Sequence, residues 1–134
     1  MIKFFLEGTP HYQKRHRMGR GRTYDPSSTD KKNVEWQIKS QCNQIIFDKD
    51  VPLSVRITAG YEPPASWAKK RKVLSVGAYK MTKPDADNIA KFYLDCMNGL
   101  VYEDDNQVAM LSVKKVYAEN AFIEIICEIA QNSF

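Results

Sequence analysis

Long apolar runs, paired cysteines and histidines are what this 134-residue chain has least of, and each shortage removes a class of protein. No segment approaches the roughly 18 consecutive apolar residues of a membrane span. The apolar run in the opening MIKFFLEG is too short for a secretory signal. The three cysteines, Cys42, Cys96 and Cys127, are far apart, odd in number and form no CxxC pair. That spacing argues against a disulfide framework and a zinc site, and leaves the thiols as packing residues of a reduced, cytoplasmic protein. The two histidines, His11 and His16, lie in a cation-rich stretch away from any cluster of acids, so neither is assigned a catalytic role. No repeat, low-complexity segment or domain boundary is visible, and residues 1–134 are expected to form a single domain.

What the chain does have is unevenly placed charge. The formal net charge is only +4, but Lys14, Arg15, Arg17, Arg20 and Arg22 crowd one short stretch, and Lys69, Lys70, Arg71 and Lys72 form a second run. Runs of this kind attract polyanions, nucleic acid first among them, although solvated surface lysines give the same composition.

Local patterns predict an α+β fold, a small mixed sheet with helices packed on one face. Residues 2–7 are β-prone and end at Gly8; residues 8–28 combine Gly and Pro with cations and read as a long, mobile basic loop. Val34, Ile38, Cys42 and Ile45 recur at helical spacing over 29–47. Residues 51–61 alternate as a half-buried strand, with Leu53, Val55, Ile57, Ala59 and Tyr61 on one side. A short basic helix over 65–76 precedes a helix from Pro84-Asp85 to about Asn98, closed by Gly99. Strands near 107–117 and 120–129 are expected to pair as a hairpin turning at Asn120.

The informative stretch is KPDADNIAKFYLDCMNGLVYEDDNQV, residues 83–108. Asp85 and Asp87 stand at a helix N-terminus, where acids often serve only as caps. Asp87, Lys91 and Asp95 are spaced by four and share one helical stripe, with Ile89, Ala90, Tyr93 and Met97 toward the core. That stripe also fits plain surface ion pairs, worth about 0.3–0.5 kcal/mol each. The acidic turn Glu103-Asp104-Asp105 follows, and a returning strand would let it converge on Asp85 and Asp87. Converging carboxylates repel one another unless a cation sits among them, and oxygen-only ligands suit Mg2+ or Mn2+. On a basic chain, that combination points to phosphodiester hydrolysis, with Lys91 supplying positive charge at the phosphate.

These residues resemble the signature of the RusA family of Holliday-junction resolvases. Its pattern is matched in order by Asp85, Asp87, Asn88, Lys91, Asp95, Asn98, Gly99, Asp104, Asp105 and Gln107. The resemblance is dense over 83–108 and looser elsewhere. The run Gly8-Thr9-Pro10-His11-Tyr12-Gln13-Lys14-Arg15 departs in detail from the family's basic opening segment. The resemblance implies a homodimeric, Mg2+-dependent endodeoxyribonuclease, common in phages and prophages, that resolves four-way junctions by paired nicks in DNA recombination and repair. It implies metal ligation by Asp85, Asp87 and Asp105, a catalytic Lys91, and supporting acids Asp95 and Asp104. No small-molecule cofactor or membrane partner is expected.

The cations Lys14, Arg15, Arg17, Arg20, Arg22, Lys69, Lys70, Arg71, Lys72 and Lys83 are then candidate DNA contacts. Tyr12 and Trp67 are either base-stacking platforms or packing residues. Two other functions fit the same residues: a DNA-binding accessory protein that does not cut, and a nuclease for other branches such as flaps.

Overall fold

A computed structural model describes residues 1–19, 21–42 and 45–130 of the chain. In order come β1 (Ile2–Glu7), the two-stranded pair β2 (Arg17–Gly19) and β3 (Arg22–Tyr24), α1 (Ser28–Gln41), β4 (Leu53–Tyr61), α2 (Lys69–Ser75) and α3 (Ala86–Met97). A 3-10 turn at Asp105–Gln107, β5 (Val108–Tyr117) and β6 (Phe122–Ile129) complete it. Four strands form one mixed sheet in the order β1-β6-β4-β5, with β4 and β5 parallel and the other neighbours antiparallel. The expected α+β architecture is therefore what the chain builds. Among the described residues no helix is long and apolar enough to cross a membrane.

The alternation read in β4 explains the layering. Leu53, Val55, Ile57 and Ala59 are buried and face the helices, while Arg56 is exposed on the opposite side. Phe4 and Leu6 of β1 and Ile123, Ile125 and Cys127 of β6 extend the same apolar face. Val34 and Ile38 of α1 and Ile89, Phe92, Tyr93, Cys96 and Met97 of α3 pack onto it. Helix α2 has no buried residue and stays outside this core.

Three expectations need correction. Strands β5 and β6 do not form a hairpin about Asn120: β4 lies between them and pairs with both. Both interior positions go to strands with a buried apolar face, β6 and β4, so β5 and β6, neighbours in sequence, are separated by β4. Helix α1 ends at Gln41 rather than near 47, and Cys42 is already extended. The backbone N–H groups of Ile46 and Phe47 donate instead to the Val101 carbonyl, which seats Phe47 in the core and leaves Ile45 partly exposed. The 8–28 segment is not wholly irregular, because it contains the β2–β3 pair.

On the outer face of the sheet, Phe5 and Phe122 stack with ring centroids 5.4 Å apart. The Phe122 ring lies directly over Gly60, where an added Cβ would sit 2.2 Å from a ring carbon. Gly60→Ala is therefore expected to destabilise the fold by about 1–3 kcal/mol through overpacking, read as a lower denaturation midpoint. Adding Phe122→Leu should recover part of the loss; equal loss in the single and double variants would contradict the clash.

Candidate active site and nucleic-acid interface

Helix α3 begins where the extended backbone of Asp85 (φ −73°, ψ 145°) gives way to Ala86. Asp85 occupies the N-cap position, yet its side chain makes no capping hydrogen bond. Among the described residues the Asp87 side chain accepts only the neighbouring Asn88 N–H, at 3.0 Å. Both side chains are exposed at the end of α3, where the helix dipole favours negative charge. Capping alone thus does not account for the pair. The preceding segment is fixed from β5: the Lys115 ammonium donates to the carbonyls of Thr82 and Pro84, each at 2.8 Å.

Beside Asp85 lies a groove of about 750 Å³ lined by Lys14, Arg15, Arg17 and Lys83, with Tyr12 and Asn88 on its walls. Backbone and side-chain bonds hold the basic segment there. The Gln13 N–H donates to the Asn88 carbonyl at 2.9 Å, and the His11 N–H donates to the Tyr93 hydroxyl at 2.9 Å. The buried Gln13 amide donates to Asp25 at 2.8 Å, and the Lys14 N–H donates to the Ser27 hydroxyl at 3.0 Å.

Lys31 ties this segment to α3. Its ammonium, largely shielded, bridges Asp25 at 2.8 Å and Asp95 at 3.0 Å. Burial alone would raise the Asp25 carboxyl, but hydrogen bonds from Lys31, Ser27 and Gln13 outweigh it and hold it well below the ordinary aspartate value of 3.8. Burial disfavours the Lys31 charge, and the two carboxylates more than restore it.

The acidic turn lies elsewhere. A helix followed by an antiparallel strand places the connecting turn at the helix's C-terminal end. It is the far end of β5, carrying Lys115, that returns to Pro84. At about 3.3 Å per residue, the path from Val108 to Lys115 separates the acidic turn from the Thr82–Pro84 segment by roughly 23 Å. Asp105 instead feels its own surroundings: burial, then the adjacent Asp104 carboxylate, then Asp95 raise its pKa. Asp104 caps the 3-10 turn by accepting the Asn106 N–H at 2.9 Å, and Gln107 completes a capping box. Among the described residues no group of three potential metal-ligating side chains is gathered, and Asp105 is not brought together with Asp85 and Asp87 within the chain.

The other expected site residues divide. Lys91 is exposed on the Asp87 stripe, with no ion pair among the described residues; Asp95 pairs with Lys31 rather than Lys91. Arg22 is exposed on β3, and Arg20 lies outside the described residues. Lys69, Lys70, Arg71 and Lys72 sit on α2 and do not line the Asp85 groove. Trp67 is engaged in packing: the Arg71 guanidinium stacks 3.7 Å over its ring, which also tilts against Tyr117 at 5.3 Å. Tyr12 remains partly exposed in the groove. Sequence reading missed Gln13, Asp25, Lys31 and Lys115. Only Asp25-Pro26 carried a local signal, that of a turn; the contacts of Lys31 with Asp95 and of Lys115 with Thr82 and Pro84 span 31 to 64 residues along the chain.

The chain matches the family model "Endodeoxyribonuclease RusA" over residues 7–128. It is 34% identical over 108 residues to the "Crossover junction endodeoxyribonuclease rusA" of Lactococcus phage r1t, covering 80% of this chain and 77% of that protein. It is 31% identical over 133 residues to the "Uncharacterized protein YqaN" of Bacillus subtilis (strain 168), covering 93% and 94% respectively. The chain belongs to the RusA endodeoxyribonuclease family.

Replacing Lys31 by Met leaves two partly buried carboxylates without their cation. The loss is expected to be about 2 kcal/mol at neutral pH, measured by urea denaturation. The Asp25 carboxyl is depressed in the fold, so its contribution is present above pH 3.8 and is lost as pH falls below that value. The gap between wild type and Lys31→Met should therefore narrow in acid; a gap independent of pH would contradict the assigned ion network.

Proposed function

We propose that this protein is a Mg2+-dependent, structure-selective endodeoxyribonuclease that resolves four-way DNA junctions by paired symmetric nicks during recombination and repair. The observation that carries the reading is the groove in which the uncapped Asp85 carboxylate stands among Lys14, Arg15, Arg17 and Lys83. A protein that only bound DNA would gain nothing from exposed carboxylates facing phosphates. Membership of the endodeoxyribonuclease family, and the name of the phage relative, support the reaction and the junction substrate.

Hard oxygen donors free of strong protein partners fit Mg2+, with Mn2+ as a substitute, because these ions keep several water or phosphate ligands. When bound, the ion supplies an activated water and neutralises charge developing on the phosphate. Asp85 and Asp87 hold it at the N-terminus of α3. The Lys91 ammonium, one helical turn past Asp87, contacts the scissile phosphate. Lys14, Arg15, Arg17, Arg20, Arg22 and Lys83 grip the backbone. Lys69, Lys70, Arg71 and Lys72 contact a more distant part of the substrate. The protein acts in the cytoplasm of a bacterial or phage-infected cell.

The third ligand, Asp105, sets a condition on this reading. It follows the C-terminal end of α3, away from Asp85 and Asp87, so on this reading it joins them from a second copy. The active species is then a homodimer whose two sites each take residues from both subunits, with Asp95 and Asp104 supporting the donated acid. Two such sites related by a two-fold axis match a junction that needs two symmetric cuts.

The test is cleavage of a synthetic mobile four-way junction beside linear duplex, flap and single-stranded controls, with Mg2+ and with EDTA. Paired, Mg2+-dependent nicks confined to the junction are expected, and Asp87→Asn should lose at least 100-fold in cleavage, on the order of a removed charge-stabilising group, while still binding. Binding without cutting would identify an accessory protein; cutting of the controls would remove the junction specificity. Mixed dimers test the shared site. Asp85→Asn and Asp105→Asn homodimers should both be inactive, and their mixture should regain single-strand nicking at one site. Absence of any recovery in a mixture proven to contain mixed dimers would overturn the site shared between subunits.

A further inference from the structure

A second groove opens on the other side of the Asp85 turn. It has a volume of about 590 Å³ and is lined by Arg56, Tyr79, Lys80, Ser112, Lys114 and Lys115. Ala86 also lines it, whereas Pro84 and Asp85 line the first groove, so the two meet at the start of α3. Glu124 contributes one carboxylate, but Lys3 pairs with it at 3.3 Å; the Arg56 guanidinium is likewise occupied, by Glu128 at 3.1 Å.

The three lysines are different. Lys80, Lys114 and Lys115 have no carboxylate partner among the described residues. Lys80 lies over the rings of Tyr61 and Tyr117, 5.2 and 5.8 Å from their centroids, and hydrogen-bonds Thr82. Burial and the neighbouring Lys115 charge both disfavour its protonated form. Lys115 donates to the Thr82 and Pro84 carbonyls while lining the groove wall. Lys114 is exposed, and its ammonium makes no hydrogen bond or ion pair among the described residues. Like charges held together in a groove, with hydroxyls of Tyr79 and Ser112 beside them, form a surface complementary to a polyanion.

We propose that this second groove binds the sugar–phosphate backbone of the DNA continuing past Asp85, with Lys80 and Lys114 contacting phosphates on the side opposite Lys14, Arg15 and Arg17. The scissile phosphate then sits between two cationic grips rather than at the end of one. Lys115 couples the second grip to the site, because the side chain that lines the groove also holds the backbone leading into Asp85. This inference rests on the nuclease reading and extends it to the substrate's path.

The experiment is the salt dependence of binding to a four-way junction in EDTA, which separates contact from cleavage. The proteins compared are wild type, Lys80→Gln/Lys114→Gln, Lys114→Glu alone and Lys14→Gln/Arg15→Gln/Arg17→Gln, each also examined by sedimentation. Each lost phosphate contact lowers the slope of log K against log salt by about 0.9, so the double variant should fall by nearly 2. Lys114→Glu makes no demand on packing and should fall by about 1 or more. An unchanged slope in both groove variants, with a reduced slope in the loop variant, would overturn the second groove and leave the nuclease reading standing. Failure of wild type to bind the junction would overturn both. A changed oligomeric state in Lys114→Glu would assign the groove to a subunit contact and overturn its role with DNA.

Discussion

Helix α3 buries Ile89, Phe92, Tyr93, Cys96 and Met97 along one stripe, and that burial positions the acids. Each large apolar side chain removed from water contributes about 1.5–3 kcal/mol. A favourable charge at a helix terminus contributes about 0.3–1 kcal/mol. The carboxylates at its start therefore go where the core sends the helix, and their mutual repulsion is too small to redirect it. Two buried tyrosines refine the placement. The Tyr102 hydroxyl donates to the Leu94 carbonyl at 3.1 Å, and the Tyr93 hydroxyl accepts the His11 N–H. The first locks the end of α3 to the acidic turn, and the second locks its middle to the basic segment.

Electrostatics then does what packing cannot. A cation-rich segment would be repelled by its own charge if left alone, and it has little apolar surface to bury. Its position rests on polar contacts: Gln13 to Asn88, Gln13 to Asp25, Lys14 to Ser27, and Lys31 across Asp25 and Asp95. All these partners are backbone, carboxylate or hydroxyl groups with the basic side chains left over. The result is a cationic groove wall whose scaffold consumes none of the charges of Lys14, Arg15 and Arg17. Asp95 takes part in this scaffold, which gives that acid a structural reason for its place.

The fold was largely legible in the sequence because it rests on periodicity. The β4 alternation, the α3 stripe and the two final strands each carry their own pattern, and each formed within a few residues of its expected bounds. What was not legible was pairing. Nothing in residues 107–129 announces that β4 will slide between β5 and β6, because strand order depends on competition among apolar faces across the whole chain. The helix that stopped at Gln41 failed for a similar reason: Val101 offered its carbonyl to Ile46 from 55 residues away. At the site, the acids and cations were visible from motif and charge, while their neutralising partners were not. Lys31 reads in the sequence as one more surface lysine.

The misplaced turn is the most instructive case. Three acids within 21 positions of one another invite a single cluster, yet direction decides otherwise. A helix and the strand packed against it run opposite ways, so residues at the connection are remote from the helix start by the full length of the helix. Twelve helical residues already separate the ends of α3 by about 18 Å. No rotamer of Asp105 spans that distance, and bending the turn would unseat Val101 and Tyr102, which are fully buried. On the proposed reading, a site using all three acids is assembled between chains. On the proposed reading this makes cleavage conditional on association, so that a lone subunit binds DNA through its basic groove without a complete set of metal ligands. A nuclease built this way cuts only where two subunits meet, which is the arrangement a symmetric branch point presents.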